Sequence, residues 1–387
     1  MQRFITYILI LCFISPCLSI RSNVGTTNDI YNVMDFGAVG DGKTDDAQAF
    51  ASAWSKACQA GGMSTLVIPS GKSFLVTKVN FNGPCNAKIL IKFQGQIIAP
   101  PKSGWKSEAY LISIEHVNGL TIDGNDQGGV DGDGSTWWDC KSCNRPDVLF
   151  FNACNDLSVN KLKISNSPRA HVAVTQCNHA TFSGISIDSP ATSPNTDGFD
   201  ISFSTYVLIQ DSNIKSGDDC VAINGGSSFI NVTGVYCGPG HGISVGSLGL
   251  KRSDDRVSNV HVRNCTLTGT QNGARIKTAA GGSGYAKNIT YEQIILQNVR
   301  NPIFIDQAYN NRLDDTSIMV SSVTYRGFTG TSNCVFSINL NCSTSGCFDI
   351  LLDQNNIVLP GKTASAFCRN AHGTATNTVP NVGCLSK

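Results

Sequence analysis

Charged residues are scarce in this chain, and the two signs nearly cancel. They make up 15% of the 387 residues, and the formal net charge is +1 at pH 7. A protein this close to neutral exerts no long-range attraction on a polyanion. We therefore predict no nucleic-acid partner, and any preference for an anionic ligand has to come from charges gathered at one place.

Long apolar runs are absent beyond the N-terminus. Met1 to Arg3 precedes an apolar run from Phe4 to Leu18, and the small residue Ser19 follows. This order is typical of a secretory signal peptide, here residues 1–19. Because no comparable run and no linker recurs, we predict an exported single domain at 20–387, monomeric and without membrane association after signal removal.

Metal-ligand patterns are also lacking, although cysteine is plentiful. Removal of the signal takes Cys12 and Cys17 from the 16 cysteines and leaves an even 14. In an exported protein most of these should pair, leaving at most two free thiols, but the positions do not fix the connectivity. Cys140-x-x-Cys143 has no histidine or cysteine pair after it at ligand spacing, so we predict no metal and no cofactor.

Glycine is abundant, with 38 residues, and it separates short stretches of alternating apolar residues. The template apolar-x-apolar-x-x-apolar-x-apolar starts at intervals of 23 to 30 residues, at Leu157, Ala180, Val207, Ile230, Val260, Ile289 and Ile318, with one polar substitution, Ser212, in the unit from Val207. Two period-two strands per repeat of this length predict an all-β solenoid, the parallel β-helix. A β-sandwich of short strands is the alternative, but a sandwich has no reason to keep one spacing.

The ends and loops of the solenoid can be placed as well. We predict a strand from Val33 and an amphipathic capping helix from an N-cap at Thr44 to about Ala60. Its apolar stripe is Ala49, Phe50, Ala53, Trp54 and Ala57. Regular coils should run to about Phe328, followed by a C-terminal end tied by disulfides. The loop 124–143 should wall a groove, where Trp137 and Trp138 either stack on a sugar or pack against the solenoid.

Polar residues recur in register with this repeat. Asp197, Asp219 and His241 are 22 residues apart each time, and each stands two positions before an apolar-x-apolar triplet. Equal spacing predicts that they stack in one column. They belong to five polar strings, which are Asn195-Thr196-Asp197-Gly198, Gly217-Asp218-Asp219-Cys220, Gly240-His241-Gly242, Gly246-Ser247-Leu248-Gly249 and Arg275-Ile276-Lys277.

The column predicts acid–base chemistry. Adjacent coils lie about 4.8 Å apart, so Asp197, Asp218 and Asp219 must crowd and at least one pKa should rise. A neutral carboxyl beside ionised ones can protonate a leaving oxygen while another activates water. Arg275 and Lys277 next to this cluster indicate an acidic substrate. The simpler interpretations are polar turns, and cations that only offset the aspartates.

Strict strand alternation leaves one geometric question open. It would point Asp197, Asp219 and His241 into the core, and Asp218, Arg275 and Lys277 outwards. A bend before each triplet, at Gly198 and Gly242, would break the alternation.

The first three strings and the last resemble, in this order, the four signature motifs of polygalacturonases, glycoside hydrolase family 28. The likeness extends from Val33 to Tyr309. It implies a right-handed parallel β-helix that hydrolyses α-1,4 bonds between galacturonates in pectin, with inversion at the anomeric carbon, and that acts in the cell wall.

The resemblance also implies roles for single residues. Asp218 would be the general acid, Asp197 and Asp219 would hold and activate water, and His241 would support the acid. The implied substrate-binding residues are Asn195, Arg275, Lys277 and Tyr309. The family usually pairs Cys220 with Cys237. Independently, four sequons mark glycosylation sites consistent with export, at Asn231, Asn264, Asn288 and Asn341.

Three other functions compete with this one. A rhamnogalacturonan hydrolase on the same coil would generally lack the full Asn195–Gly198 and Arg275–Lys277 strings. A calcium-dependent pectate lyase would use the aspartates as metal ligands. A wall-binding protein without activity would keep the scaffold, but here every catalytic position retains its residue.

Overall fold

The computed structural model describes residues 28–105, 109–309 and 317–385, so the predicted signal peptide lies outside it. The described chain winds as a right-handed parallel β-helix, and each regular coil contributes one strand to each of three parallel sheets. Both the all-β class and the solenoid predicted from the repeat are confirmed. None of the described helices has the length and apolarity that a membrane crossing requires.

Sheet 1 has eleven strands in chain order. They are Val79–Asn82, Tyr110–Glu115, Asp147–Asn152, Val172–Thr175, Phe199–Ser202, Val221–Ile223, Ile243–Leu248, Asn272–Thr278, Asn301–Asp306, Phe336–Asn341 and Ser365–Arg369. The polar strings lie on the outer face of this sheet, which is called the floor of the site below.

Sheets 2 and 3 complete each coil and are joined through two long strands, Asp254–Thr268 and Ser283–Val299. The other strands of sheet 2 are Asn28–Asn32, Met63–Ile68, Lys88–Phe93, Thr121–Asp123, Asn155–Asn160, Asn178–Ser183, Thr205–Gln210, Ser228–Thr233, Met319–Arg326, Cys347–Asp353 and Ala371–Thr376. Those of sheet 3 are Asp41–Asp45, Ser73–Leu75, Gln96–Ile98, Gly129–Asp131, Lys163–Ser165, Ser186–Asp188, Asn213–Lys215, Tyr236–Cys237, Thr329–Ser332 and Asn356–Val358.

The core is a set of apolar columns that run along the solenoid axis. Leu157 pairs with Ala180, which pairs with Val207 and then Ile230, so the sequence template and the strand register coincide. These side chains are at most 2% exposed. The apolar triplets behind the polar column stack in the same way within sheet 1.

The N-terminal cap is present, but it begins later than predicted. Helix α1 spans Ala47–Gln59 rather than Thr44–Ala60. The preceding segment, Asp41–Asp45, pairs in sheet 3 instead. There the carboxylate of Asp41 accepts hydrogen bonds from the backbone N–H and the hydroxyl of Thr44, at 2.8 and 3.1 Å. This turn holds Thr44 in the strand, three residues before the first helical residue, and the N-cap position is taken by Asp46.

Helix α1 covers the open end of the coil with its apolar stripe. Trp54 stacks on Phe81 with ring centroids 4.7 Å apart, and its Nε1 donates to the carbonyl of Asn82 at 3.1 Å. All five predicted stripe residues are buried, namely Ala49, Phe50, Ala53, Trp54 and Ala57.

The strand predicted from Val33 is wrong. Val33–Phe36 is a 3-10 helix, because the Asn32 side chain accepts a hydrogen bond from the Met34 N–H at 3.0 Å. The first strand is Asn28–Asn32, so the solenoid begins slightly earlier than expected. At the other end the coils continue beyond Phe328 to the strand Ala371–Thr376.

Five disulfides occur among the described residues. They are Cys58–Cys85, Cys140–Cys143, Cys220–Cys237, Cys342–Cys347 and Cys368–Cys384. Most of the 14 cysteines are thus paired, as predicted, and the C-terminal end is tied twice. The limit of two free thiols is wrong, because four remain, namely Cys154, Cys177, Cys265 and Cys334. Three of these are buried.

Candidate active site

The predicted column forms at one edge of sheet 1. Asp197, Asp219 and His241 each end a loop that leads into a strand of this sheet. The three strands, which start at Phe199, Val221 and Ile243, are adjacent and in register. Three consecutive coils therefore bring the three polar residues together, as the spacing predicted.

The turns before these strands explain the two glycines. A Cβ at Gly198 would lie 2.5 Å from the Cys220 carbonyl oxygen, and one at Gly242 would lie 2.1 Å from that of Asn272. Gly242 also has φ = 92°, in the left-handed region. The chain thus bends at Gly198 and Gly242, the two positions at which the sequence made a bend possible. Simple alternation consequently fails for His241, whose side chain is 35% exposed.

Asp218 projects into the open site and is held on both sides. Its Oδ1 is 2.9 Å from His241 Nδ1, and its Oδ2 accepts a hydrogen bond from Asn195 Nδ2 at 3.2 Å. The Asp218 side chain is 18% exposed. A carboxyl that is oriented by two neighbours and reachable from solvent is placed to exchange a proton with a bound molecule.

Asp219 lies below the surface and is surrounded by donors. Arg275 Nη2 and Lys277 Nζ donate to its two oxygens at 2.8 and 2.7 Å, and the Ser244 hydroxyl donates at 2.8 Å. The Asp219 side chain is fully buried, and those of Arg275 and Lys277 are only 9% and 7% exposed. Both cations therefore form ion pairs with the Asp219 carboxylate, in addition to any contact with a ligand.

Asp197 is anchored through its backbone by a buried histidine. The His171 N–H and its ring Nδ1 both donate to the Asp197 carbonyl oxygen, at 2.8 and 2.9 Å. Ring Nε2 faces the Ser189 hydroxyl at 2.8 Å. Because a carbonyl only accepts, Nδ1 carries the proton. Burial lowers the pKa of His171 to about 4, so the ring is neutral near pH 7.

The carboxyl pKa values move in opposite directions. Burial first, then the charges of Asp218, Asp219 and Asp200, raise the pKa of Asp197 well above its ordinary value. Burial would also raise the pKa of Asp218, but the hydrogen bond and charge of His241 lower it on balance. The expectation that at least one pKa rises is confirmed. These opposite shifts favour protonation of Asp197 over Asp218.

The sequence reasoning missed three residues beside the column, Arg145, Asp147 and Arg169. Arg145 donates to Asn195 Oδ1 at 2.7 Å and to the Pro194 carbonyl, so it fixes the loop that carries Asn195. Arg169 pairs with Asp147 through two hydrogen bonds of 2.7 Å. No motif links these positions, because the contacts join residues 22 to 50 positions apart.

The remaining predicted residues lie around this centre. The Tyr309 side chain is exposed, and its ring centroid is 5.2 Å from Lys277 Nζ. The disulfide Cys220–Cys237 ties the coil directly after Asp219. Trp137 is only 5% exposed and packs edge-on against Trp105, which favours the packing interpretation over sugar stacking.

The sequons differ in accessibility. Asn231, Asn264 and Asn288 are exposed on the coils. Asn341 is half-buried, and its Oδ1 accepts a hydrogen bond from Arg369. Glycosylation at these four residues stays a prediction.

A metal ion would fit this centre poorly. Asp218, Asp219 and His241 have potential ligand atoms within 4.8 Å of one another. Both oxygens of Asp219, however, already accept from Arg275 and Lys277. A cation added here would meet two fixed positive charges.

Crowded carboxyls on a solenoid floor, one of them poised to exchange a proton, are the arrangement of a glycoside hydrolase. The model of the glycosyl hydrolases family 28 matches residues 58–379, and the chain belongs to that family.

Named relatives agree with this assignment. A probable polygalacturonase of Arabidopsis thaliana is 42% identical over 93% of this chain and 81% of its own length. Polygalacturonase-2 of Solanum lycopersicum is 39% identical over 89% of this chain and 78% of its own. The crystal structure of an endo-xylogalacturonan hydrolase from Aspergillus tubingensis superimposes with a TM-score of 0.79 at 27% identity, covering 90% of this chain and 98% of that one.

Proposed function

We propose that this glycoside hydrolase cleaves α-1,4-galacturonosidic bonds of polygalacturonate, the backbone of pectin, outside the cell and with inversion. The observation that carries the proposal is the cluster of three carboxyls, Asp197, Asp218 and Asp219. His241 holds Asp218, and the cations Arg275 and Lys277 contact Asp219. The names of the relatives support the same substrate.

Asp218 is the proton donor in this proposal, and Asp197 and Asp219 hold and activate the attacking water. The pKa shifts of the free protein favour a proton on Asp197, but interacting carboxyls titrate as a group rather than singly. A bound polymer would cover the partly exposed Asp218 and His241. Loss of water around a carboxylate raises its pKa. Substrate binding would therefore move the proton towards Asp218, next to the leaving oxygen.

Arg275 and Lys277 bind substrate through the positive charge that Asp219 does not neutralise. Arg275 and Lys277 together carry two positive charges, and Asp219 offsets one of them. The remaining charge attracts a galacturonate carboxylate, while Asn195 contacts Asp218 and the Tyr309 ring lies next to Lys277. This arrangement combines the two interpretations of the Arg275–Lys277 string.

A product-size time course on polygalacturonate with a metal chelator present tests the proposal. We expect cleavage into saturated products, without the ultraviolet absorbance of unsaturated ends, and inverted configuration at the new reducing end by NMR. Asp218→Asn keeps the shape but removes the acid, so kcat should fall by roughly 10²–10⁴-fold with KM little changed.

Each alternative predicts a different result. Chelator-sensitive cleavage into unsaturated products would identify a lyase. Activity on rhamnogalacturonan but none on polygalacturonate would identify the other hydrolase. Near-normal turnover by Asp218→Asn would remove Asp218 from the role of acid.

A further inference from the structure

A further cation, Arg169, lies beside the carboxyls on the side away from Arg275 and Lys277. Arg169 uses Nε and Nη2 to contact both oxygens of Asp147, which also accepts from the Ala170 N–H at 2.9 Å. The Asp147 side chain is 1% exposed and that of Arg169 is 47% exposed. One edge of the guanidinium is thus fixed in the protein, while Nη1 has no hydrogen-bond partner among the residues that the structure describes.

The strand register places this cation relative to the reaction. Val172, three residues after Arg169, pairs with Phe199, two residues after Asp197. Arg169 therefore lies on the coil before Asp197, and Arg275 lies three coils after it. Four coil spacings separate the backbones of the two residues, about 19 Å at ~4.8 Å each, although the Arg275 guanidinium reaches back to Asp219. A polymer that crosses the carboxyls would meet them on different sugar units.

The positive charge of Arg169 is also close enough to the aspartates of the site to interact with them. The hydrogen bond to Asp147 raises the pKa of Arg169 most, and the charges of Asp200 and Asp197 add to this. Arg145 is not equivalent, because both of its terminal nitrogens already donate to Asn195 or to backbone carbonyls. Arg169 is thus the better-placed donor on this side of the site.

We propose that Arg169 binds a carboxylate of the polymer on the opposite side of the scissile bond from Arg275 and Lys277. This inference rests on the proposed function and names a specificity-determining residue for it. Because Asp147 offsets the charge, recognition comes from a directed hydrogen bond rather than from long-range attraction. A guanidinium held in a fixed orientation suits a carboxylate well.

Arg169→Gln tests the proposal, with Arg326→Gln as the matched control. Arg326 is 45% exposed and pairs with Asp353, on sheet 2 rather than on the floor of the site. On polygalacturonate we expect KM to rise about tenfold for Arg169→Gln with kcat nearly unchanged, the loss of one charge-assisted hydrogen bond. Arg326→Gln should match the wild type. On fully methyl-esterified pectin the two variants should be alike.

A double variant separates binding from folding, because Arg169→Gln leaves the buried Asp147 without its partner. Asp147→Asn/Arg169→Gln restores a neutral pair and should show the same raised KM. If the double variant regains the wild-type KM, the single variant suffered only from the unpaired carboxylate, and the proposal is overturned.

The cleavage pattern gives a second readout that stability alone would not move. On end-labelled oligogalacturonates, Arg169→Gln should shift cleavage away from bonds that place a carboxylate on the Arg169 side. An unchanged pattern together with an unchanged KM overturns this inference while leaving the proposed function intact. A wild-type protein inactive on polygalacturonate would instead remove the proposed function itself.

Discussion

At the scale of single residues, the site separates two kinds of acidic group. Asp219 is sealed below the floor with two cations, whereas Asp218 stays partly open to solvent. Removing one partner of a buried ion pair strongly destabilises the folded protein, because the other charge stays buried without compensation. Substitution of Arg275 or Lys277 therefore perturbs Asp219 as well as any substrate contact. Arg169 is the cleaner probe of carboxylate recognition, because its partner Asp147 is not one of the three crowded carboxyls.

His171 should make the stability depend on pH. Its pKa is about 4 in the folded protein and roughly 6.5 in an unfolded chain. Between these two pKa values only the unfolded state binds the proton. The contribution of neutral His171 to the free energy of unfolding is therefore complete above pH 6.5 and is lost as the pH falls towards 4. The loss approaches about 3 kcal/mol, at 1.36 kcal/mol per pH unit. Urea unfolding of wild type and His171→Gln across this range should show it as a difference in slope.

The control for this experiment is His116→Asn. His116 is exposed and has φ = 58°, a conformation that asparagine tolerates. This variant should keep the wild-type slope. Equal slopes for His171→Gln and wild type would mean that His171 is protonated to the same extent in both states.

Residue-level prediction from sequence worked where a motif existed. The three aspartates, His241 and Asn195 do meet, because the coil period stacks them. Arg169 went unnoticed because a lone arginine in a loop has no pattern of its own. Its importance depends on Asp147, which is 22 residues earlier and on a different coil.

At the scale of elements, the site is built from short loops that are tied to one another. The Thr196 hydroxyl accepts a hydrogen bond from the Gly217 N–H at 2.9 Å and is 2.6 Å from the Ser193 hydroxyl. The loop before Asp197 thus sets the position of the loop that carries Asp218. The approach is so close that a Cβ at Gly217 would lie 1.8 Å from the Ser193 carbonyl oxygen.

Gly217→Ala should therefore impair catalysis through position alone. The methyl group must push the two loops apart and move Asp218, and a displacement near 1 Å can cost about 10²-fold in rate. We expect kcat on polygalacturonate to fall by that order, with a lower melting temperature. Gly61→Ala is the control, since a Cβ there meets nothing within 4 Å. If both alanine variants kept the same kcat, the loop contact would not be what positions Asp218.

Element boundaries show where local sequence rules reach their limit. Thr44 followed by two acidic residues is a good N-cap pattern, yet the Asp41 side chain binds it first. Likewise, Asn32 turned the predicted strand at Val33 into a 3-10 helix. Side-chain bonds to nearby backbone compete with regular structure and leave little trace in periodicity.

At the scale of the whole molecule, the solenoid was predictable because each coil repeats the same burial problem. One apolar template, read at seven positions, fixed the class, the axis and the stacking of the polar column. Disulfide pairing was not predictable in the same way. Cys265 already occupied an apolar position of the template, and a buried thiol fills such a position as well as an aliphatic side chain does.

The free thiols lead to the last prediction. Cys154 and Cys177 precede paired strands on adjacent coils and, like Cys265, are at most 1% exposed, whereas Cys334 is partly exposed. Protein recovered after export, denatured without reductant, should therefore show four reactive thiols. The native protein should show one, which Cys334→Ser should abolish. Three or more thiols reacting rapidly in the native state would mean that the interior columns are open, and the close-packed coil would have to be reconsidered.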